Sequence, residues 1–503
     1  MYISRSQKPI NVIKIREYEF KNGYETYHVC SFFEKINKNH KKHLTNTQKM
    51  QKNLLNILHF RRFSLMQFSE EVKTTLWNLI DEMSLKVSEF TVHPQKDFSR
   101  KKKWDFSTLM KFIISMESQS LKNELHKYFG YTTDCPSTAS FNQRRAQIRA
   151  EAFQSLFESF TAEYSNNANL FKGYRLIACD GSDINIAYNP NDKESYFTNG
   201  KVRGFNQLHL NAMFDLTNKI YTDVVIQPGR LENEQKAFCD MVDRYHGMLK
   251  TVFIVDRGYE SYNNLAHVQE KGAFYLFRCK DLNSSGIFSG LKHQLPKTEQ
   301  FDCNISIILT RKCTKEVVNH PELYKSFHKK DCLDYIDLKE NLYYKMEFRA
   351  LRFPISEDSY ECIITNLPSA EFNAEKIKKL YAMRWGIETS FRELKYAVGL
   401  TSFHSKKSEY IIQEIWAKLI LYNFCEIITA HVVINKCTQK HVYQVNYTFA
   451  IHICRYFISK MAEKSPPNVE ALISKEILPV RPERHDPRKV DHKKAISFLY
   501  RVA

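Results

Sequence analysis

The sequence predicts an α/β protein: a sheet-centred core, interrupted by a β-rich insertion and flanked by helical regions at both ends. Three observations predict it. Between about 166 and 280, apolar runs of strand length surround one segment of helical periodicity. From 281 to 368 the helical signal fades and strand-like runs are joined by polar, Lys-rich loops. Before 165 and after 369, apolar residues recur at helical spacing.

The 503 residues suffice for two to four domains' worth of core, and a hydrophobic share of 43% argues against wholesale disorder. The formal charge of +18 suits a polyanionic partner, most simply nucleic acid. Twelve cysteines are scattered without a C-x-x-C pair or zinc spacing, which reads as reduced, buried thiols of a cytoplasmic protein. The N-terminus MYISRSQKPI has no signal-peptide core. The most apolar stretch, 411–434, carries Glu414, Lys418 and Glu426, so it reads as a buried helix and no membrane partner is expected.

Residues 1–165 form the expected N-terminal basic region for binding DNA: a polar arm to about 45, then amphipathic helices with clusters at Arg61-Arg62 and Arg100 to Lys103. Within it, Ser120 to Ile148 reads as a short helix, a turn at Gly130, and a second helix entered through Pro136 and Ser137. That second helix would present Gln143, Arg144, Arg145 and Arg149 to a major groove. An ordinary helical hairpin with a basic exposed face fits the same residues equally well.

The core's first part, 166–280, opens with YRLIACDGSDINIAYN. Asp180 ends its apolar run, and a carboxylate there must be paired, hydrogen-bonded or metal-bound. Asp183 should point to the opposite face. Two strands, QLHLNAMFDL and KIYTDVVIQPG, follow around Thr217-Asn218; NEQKAFCDMVDRYH is helical; TVFIV is a buried strand ending at Asp256; AFYLFRCK is another strand. Strand ends are where α/β sheets build sites. Taken singly, each Asp also fits a loop-end residue capping the next element.

The insertion, 281–368, offers FDCNISIILT, YYKMEFRALRFPI and YECIITNLP as strands. The core's second part, 369–405, is a helix capped at Asn373 that contains YAMRWGIETSFRELK. On a helical wheel Leu380, Met383, Ile387, Phe391 and Leu394 form an apolar stripe. Beside it Tyr381, Arg384, Glu388, Arg392 and Lys395 share one face. A carboxylate ringed by cations suits a metal ligand beside groups that grip phosphate; a solvated face of i,i+4 pairs is the ordinary alternative. The region 406–503 adds helices at 408–434 and 441–462 and the basic tail VRPERHDPRKVDHKK.

Two strand-borne Asp residues and one helix-borne Glu make the oxygen-rich set that Mg²⁺ prefers, and a pair of such ions would activate a nucleophile and steady a leaving oxygen. CDGSD around Asp180, VDRGY around Asp256 and TNLP…YAMRWGIETSFRELK around Glu388 resemble the DDE transposases of prokaryotic insertion sequences, within them the insertion-sequence family 4 group. Tyr381, Arg384, Glu388 and Lys395 match that group's Y-x2-R-x3-E-x6-K signature, and the resemblance runs from about 120 to 490. It implies a ribonuclease-H-like core in which Asp180, Asp256 and Glu388 bind two Mg²⁺ or Mn²⁺ ions. It further implies strand cleavage at terminal inverted repeats, strand transfer into target DNA, a homodimer on paired ends, and a protein of the prokaryotic nucleoid. Tyr381, Arg384 and Lys395 would hold the backbone phosphate at the cut and support a hairpin intermediate, with Arg392 an auxiliary contact. One departure stands out: hairpin-forming relatives stack a flipped base on an insertion Trp, and none lies between Asp256 and Trp385. A Tyr or Phe would have to take its place.

Overall fold

The computed structural model describes residues 68–100, 102–165, 169–198, 203–356, 359–432, 443–459, 468–480 and 499–500. The N-terminal arm, the Arg61-Arg62 cluster and most of the basic tail lie outside the described residues.

Five helices precede the sheet: α1 (68–85), α2 (Phe106–Ser115), α3 (Leu121–Tyr128), α4 (Thr138–Arg145) and α5 (Glu151–Ser165). The expected helical pair of 120–148 is α3 and α4, each started by a serine whose hydroxyl accepts from a backbone amide of the first turn. Gly130 makes the turn between them at φ 70°.

The sheet begins with β1 (Arg175–Ile186), β2 (Tyr196–Phe197), β3 (Phe205–Asp215) and β4 (Ile220–Pro228). After α6 (Glu234–Arg244) come β5 (Thr251–Val255), α7 (Tyr262–Glu270) and β6 (Phe274–Cys279). β3 runs antiparallel to both β1 and β4, whereas β5 lies parallel to β1 and β6 parallel to β5. The order β4-β3-β1-β5-β6 is that of a ribonuclease-H-like core.

The β-rich stretch supplies β7 (Phe301–Thr310), β8 (Tyr324–Ser326), β9 (Tyr343–Ser356) and β10 (Ser359–Thr365). β10 pairs antiparallel with β6, so these strands continue the core sheet to ten strands. The chain then runs through α8 (Ala374–Ala382), α9 (Trp385–Tyr396), α10 (Ser408–Thr429), α11 (Tyr447–Ser459) and α12 (Val469–Lys475).

Strand periodicity sorts β1 between two layers. Ile177 and Cys179 pack with Phe238 and Leu265 of α6 and α7. Leu176 joins Leu380 of α8, and Ala178 shares a cluster with Ile387 of α9 and Ile415 of α10. That second cluster also takes in Leu76, Phe112 and Phe157, so the N-terminal helices pack into the same core as the C-terminal ones. No helix among the described residues is long and apolar enough to cross a membrane.

Two expectations change. The helix around Glu388 is not one rod: α8 ends at Ala382 and α9 begins at Trp385. At the junction the Arg384 amide bonds to the Tyr381 carbonyl and that of Ile387 to Arg384, a tighter i→i+3 turn that rotates α9 relative to the ideal wheel. The face read into α4 also changes. Arg145 is 0% exposed: it donates to Gln413 (2.8 Å), Glu414 (2.9 Å) and the Tyr410 carbonyl of α10. Arg144 is buried too, bonded to the Trp104 carbonyl and Gln147 and lying over the Phe98 ring. Both arginines fasten helices together and offer no face to a groove, because buried carboxylate and carbonyl acceptors hold them; Gln143 and Arg149 stay exposed.

Candidate active site

Leu176, Ala178 and Asp180 alternate onto the face of β1 that meets α8 and α9, which carries Asp180 from the apolar run into the cleft beside Glu388. Its Oδ1 accepts from the Gly181 amide at 2.9 Å, and its Oδ2 lies 3.3 Å from Arg384 Nη1. Arg384 Nη2 donates to Glu388 Oε1 at 2.7 Å. Asp256 follows the last residue of β5 and caps a short turn, accepting from the Gly258 amide at 2.8 Å.

Burial pushes the Asp180 carboxyl up to about 6; Arg384 opposes that, and the negative charges of Asp256 and Glu388 add to it. Asp180, Asp256 and Glu388 therefore share one electrostatic neighbourhood, drawn from β1, β5 and α9. Among the groups acting on Asp180, the Arg384 guanidinium opposes the two neighbouring carboxylates. Hard oxygen donors of this kind fit a divalent cation.

The rest of the expected face divides. Tyr381 is buried, its ring 5.8 Å from the Arg384 guanidinium, and burial raises its phenol. Tyr381 Oη and Arg384 Nε are both buried with no regular hydrogen bond among the described residues, and the phenol interacts with the guanidinium. Lys395 is partly buried, its ammonium lowered by burial against the pull of Asp183. Arg392, one turn beyond Glu388, is exposed and lines a cavity with Thr389, Glu393 and Lys219.

A neighbouring cluster was not anticipated. His209 of β3 pairs across the strands with Asp183 (2.9 Å) and approaches Glu232 (3.3 Å) and Glu234 (3.2 Å). Burial alone would lower the imidazolium, yet Asp183 and Glu234 outweigh it and hold its pKa at about 9. Asp183, His209 and Glu232 are the one set among the described residues whose three ligand atoms lie within 4.8 Å of one another. The available signal was His209 at an alternating position of QLHLNAMFDL, which only strand pairing connects to Asp183.

A mixed sheet of this order, with carboxylates brought together from the middle of β1, the end of β5 and α9, defines a ribonuclease-H-like protein. Residues 171–424, just over half of the chain, match the family model described as transposase DDE domain, and the protein belongs to that family. Among solved structures it is similar to the piggyBac transposase in a synaptic complex with hairpin DNA: 9% identity, TM-score 0.41, covering 85% of this chain and 87% of that one. No curated protein matches it.

Proposed function

We propose that this DDE transposase is a cut-and-paste enzyme of the insertion-sequence family 4 group, working in a prokaryotic cell as a homodimer on terminal inverted repeats. Asp180, Asp256 and Glu388 hold two Mg²⁺ or Mn²⁺ ions. The observation that carries this reading is the bridge from Asp180 through Arg384 to Glu388, which joins strand and helix in one acidic cleft that also feels Asp256. Bound there, divalent ions supply an activated water or 3′-hydroxyl and charge for the leaving oxygen.

The chain's own groups would bind and orient the DNA. Tyr381 and Arg384 hold buried donors beside the carboxylates, and a backbone phosphate would accept from them. A phosphate gripped on both sides of a cut is also what a hairpin intermediate requires. The N-terminal region would contribute further DNA contacts through exposed groups such as Gln143 and Arg149, not through Arg144 and Arg145. The strands of 281–368, carried on the core sheet, would support the DNA flanking the cut.

The test is cleavage of terminal inverted-repeat DNA in Mg²⁺ by Asp180→Asn, Asp256→Asn and Glu388→Gln. Each should fall by at least ~100-fold, the scale on which a single electrostatic catalytic group acts. Near-normal cleavage by all three would end this assignment. Cleavage indifferent to the repeat ends would mark a general nuclease.

A further inference from the structure

We infer that Glu234 is a fourth carboxylate of the metal centre, set in place by His209; the inference rests on the assignment of Asp180 and Asp256 as metal ligands. Glu234 opens α6, whose first turn is fixed by Asn233 accepting from the Lys236 amide at 2.9 Å. An acid in a first helical turn is ordinary, and most such side chains face solvent. This one is directed inward, against the two backbone turns that carry the catalytic aspartates.

Two glycines record its position. A Cβ built on Gly181, the residue after Asp180, would come within 2.3 Å of Glu234 Oε1 and 2.5 Å of His209 Nε2. A Cβ built on Gly258, two residues after Asp256, would lie 3.2 Å from Asp256 Oδ1 and 3.3 Å from Glu234 Oε2. Because these last two distances share one point, the Asp256 and Glu234 oxygens are separated by no more than about 6.5 Å. A hydrated divalent ion spans such a gap, and Mg²⁺ characteristically keeps water ligands that outer carboxylates orient. Any side chain at 181 would push Glu234 away from the strand.

His209 supplies the hold. It is 6% exposed, anchored to Asp183 across the strand pair, and its Nε2 faces Glu234 Oε1 at 3.2 Å. Glu234 itself keeps 35% of its side chain open to solvent, so one oxygen is steadied while the carboxylate remains accessible to an ion's hydration shell.

The experiment is calorimetric titration of Mn²⁺ into the full-length protein without DNA. Glu234→Gln should bind Mn²⁺ about 10-fold more weakly, the lower end of the effect of removing an outer-shell partner. Glu234→Asp should recover part of the loss, and His209→Asn should weaken binding in the same direction. Thermal melting without metal checks that each variant is folded; if Glu234→Gln melts early, Glu234→Asp carries the comparison. Wild-type affinity in Glu234→Gln beside lost affinity in Asp256→Asn would overturn the inference and leave the metal centre standing. Wild-type affinity in both would instead undo the three-carboxylate assignment. Full affinity in Glu234→Gln with loss in His209→Asn would overturn it in favour of an ion held by Asp183, His209 and Glu232.

Discussion

Arg384 and Glu388, one helical turn apart, share a hydrogen bond of 2.7 Å, and the same guanidinium reaches Asp180 at 3.3 Å. One cation thus ties the helix carboxylate to the strand carboxylate. Arg384 is only 5% exposed; although burial lowers its pKa, Tyr381, Asp180 and Glu388 outweigh that and raise it.

Arg384→Ala should therefore bind Mn²⁺ at least as tightly as the wild type in the absence of DNA, because a competing cation is gone. Cleavage and later steps should still fall, by ~10–100-fold, since a charge-assisted phosphate contact is lost. Calorimetry and gel-based cleavage read the two effects separately. Loss of Mn²⁺ affinity equal to that of Glu388→Gln would refute this division.

Gly181→Ala should lower stability by about 1–3 kcal/mol, the usual cost of overpacking. The new methyl group would meet Glu234 and His209 at 2.3 and 2.5 Å, and His209 is buried with little room to retreat. Denaturant unfolding checks the magnitude.

Arg145→Met should cost about 3–5 kcal/mol, because it leaves the buried Glu414 without its main partner. Burial would raise the Glu414 carboxyl, but Arg145 and His404 outweigh it and hold the group at about 2. Since the folded pKa lies below the ordinary value of 4.5, this stabilisation is complete above 4.5 and lost as pH falls through about 2. Unfolding measured between pH 7 and 3 should show a shallower acid loss in Arg145→Met than in the wild type.

Glu426 behaves in the opposite sense. Burial pushes it up to about 7, with Lys219 opposing and Glu393 adding. The folded state keeps a proton there that the unfolded chain releases near 4.5, so stability falls as pH rises from about 4.5 to 7. Glu426→Gln keeps an acceptor for the Thr429 hydroxyl and should be more stable than the wild type at pH 8, by about 2–3 kcal/mol. Near pH 4.5 the two should converge.

The parts of this site legible in the sequence are those set by local pattern. The run before Asp180, the strand before Asp256 and the helix bearing Glu388 each announce themselves by periodicity; the strands lie where it places them, and the helix is present but broken at Met383–Arg384. What escaped depends on distant partners. Arg144 and Arg145 read as exposed because charge alone does not distinguish a solvated arginine from a buried one. The clue was Glu414 inside an apolar helix: a buried carboxylate needs a cation, and Arg145 provides it. In the sequence Glu234 is indistinguishable from any first-turn acid; only the meeting of β1, β3 and α6 around Gly181 sets it apart. The tightening at Met383–Arg384 is likewise a product of tertiary packing, since nothing in YAMRWG forbids a continuous helix.

The pairing of β10 with β6 has a mechanical consequence. β6 is bonded to β5, and Asp256 directly follows β5, so backbone ladders lead from β10 through β6 and β5 to that carboxylate. A load placed on the outer strands cannot be absorbed by a swivelling linker. The path open to it runs along the paired strands β10, β6, β5 and β1, which carry Asp256 and Asp180 at neighbouring positions.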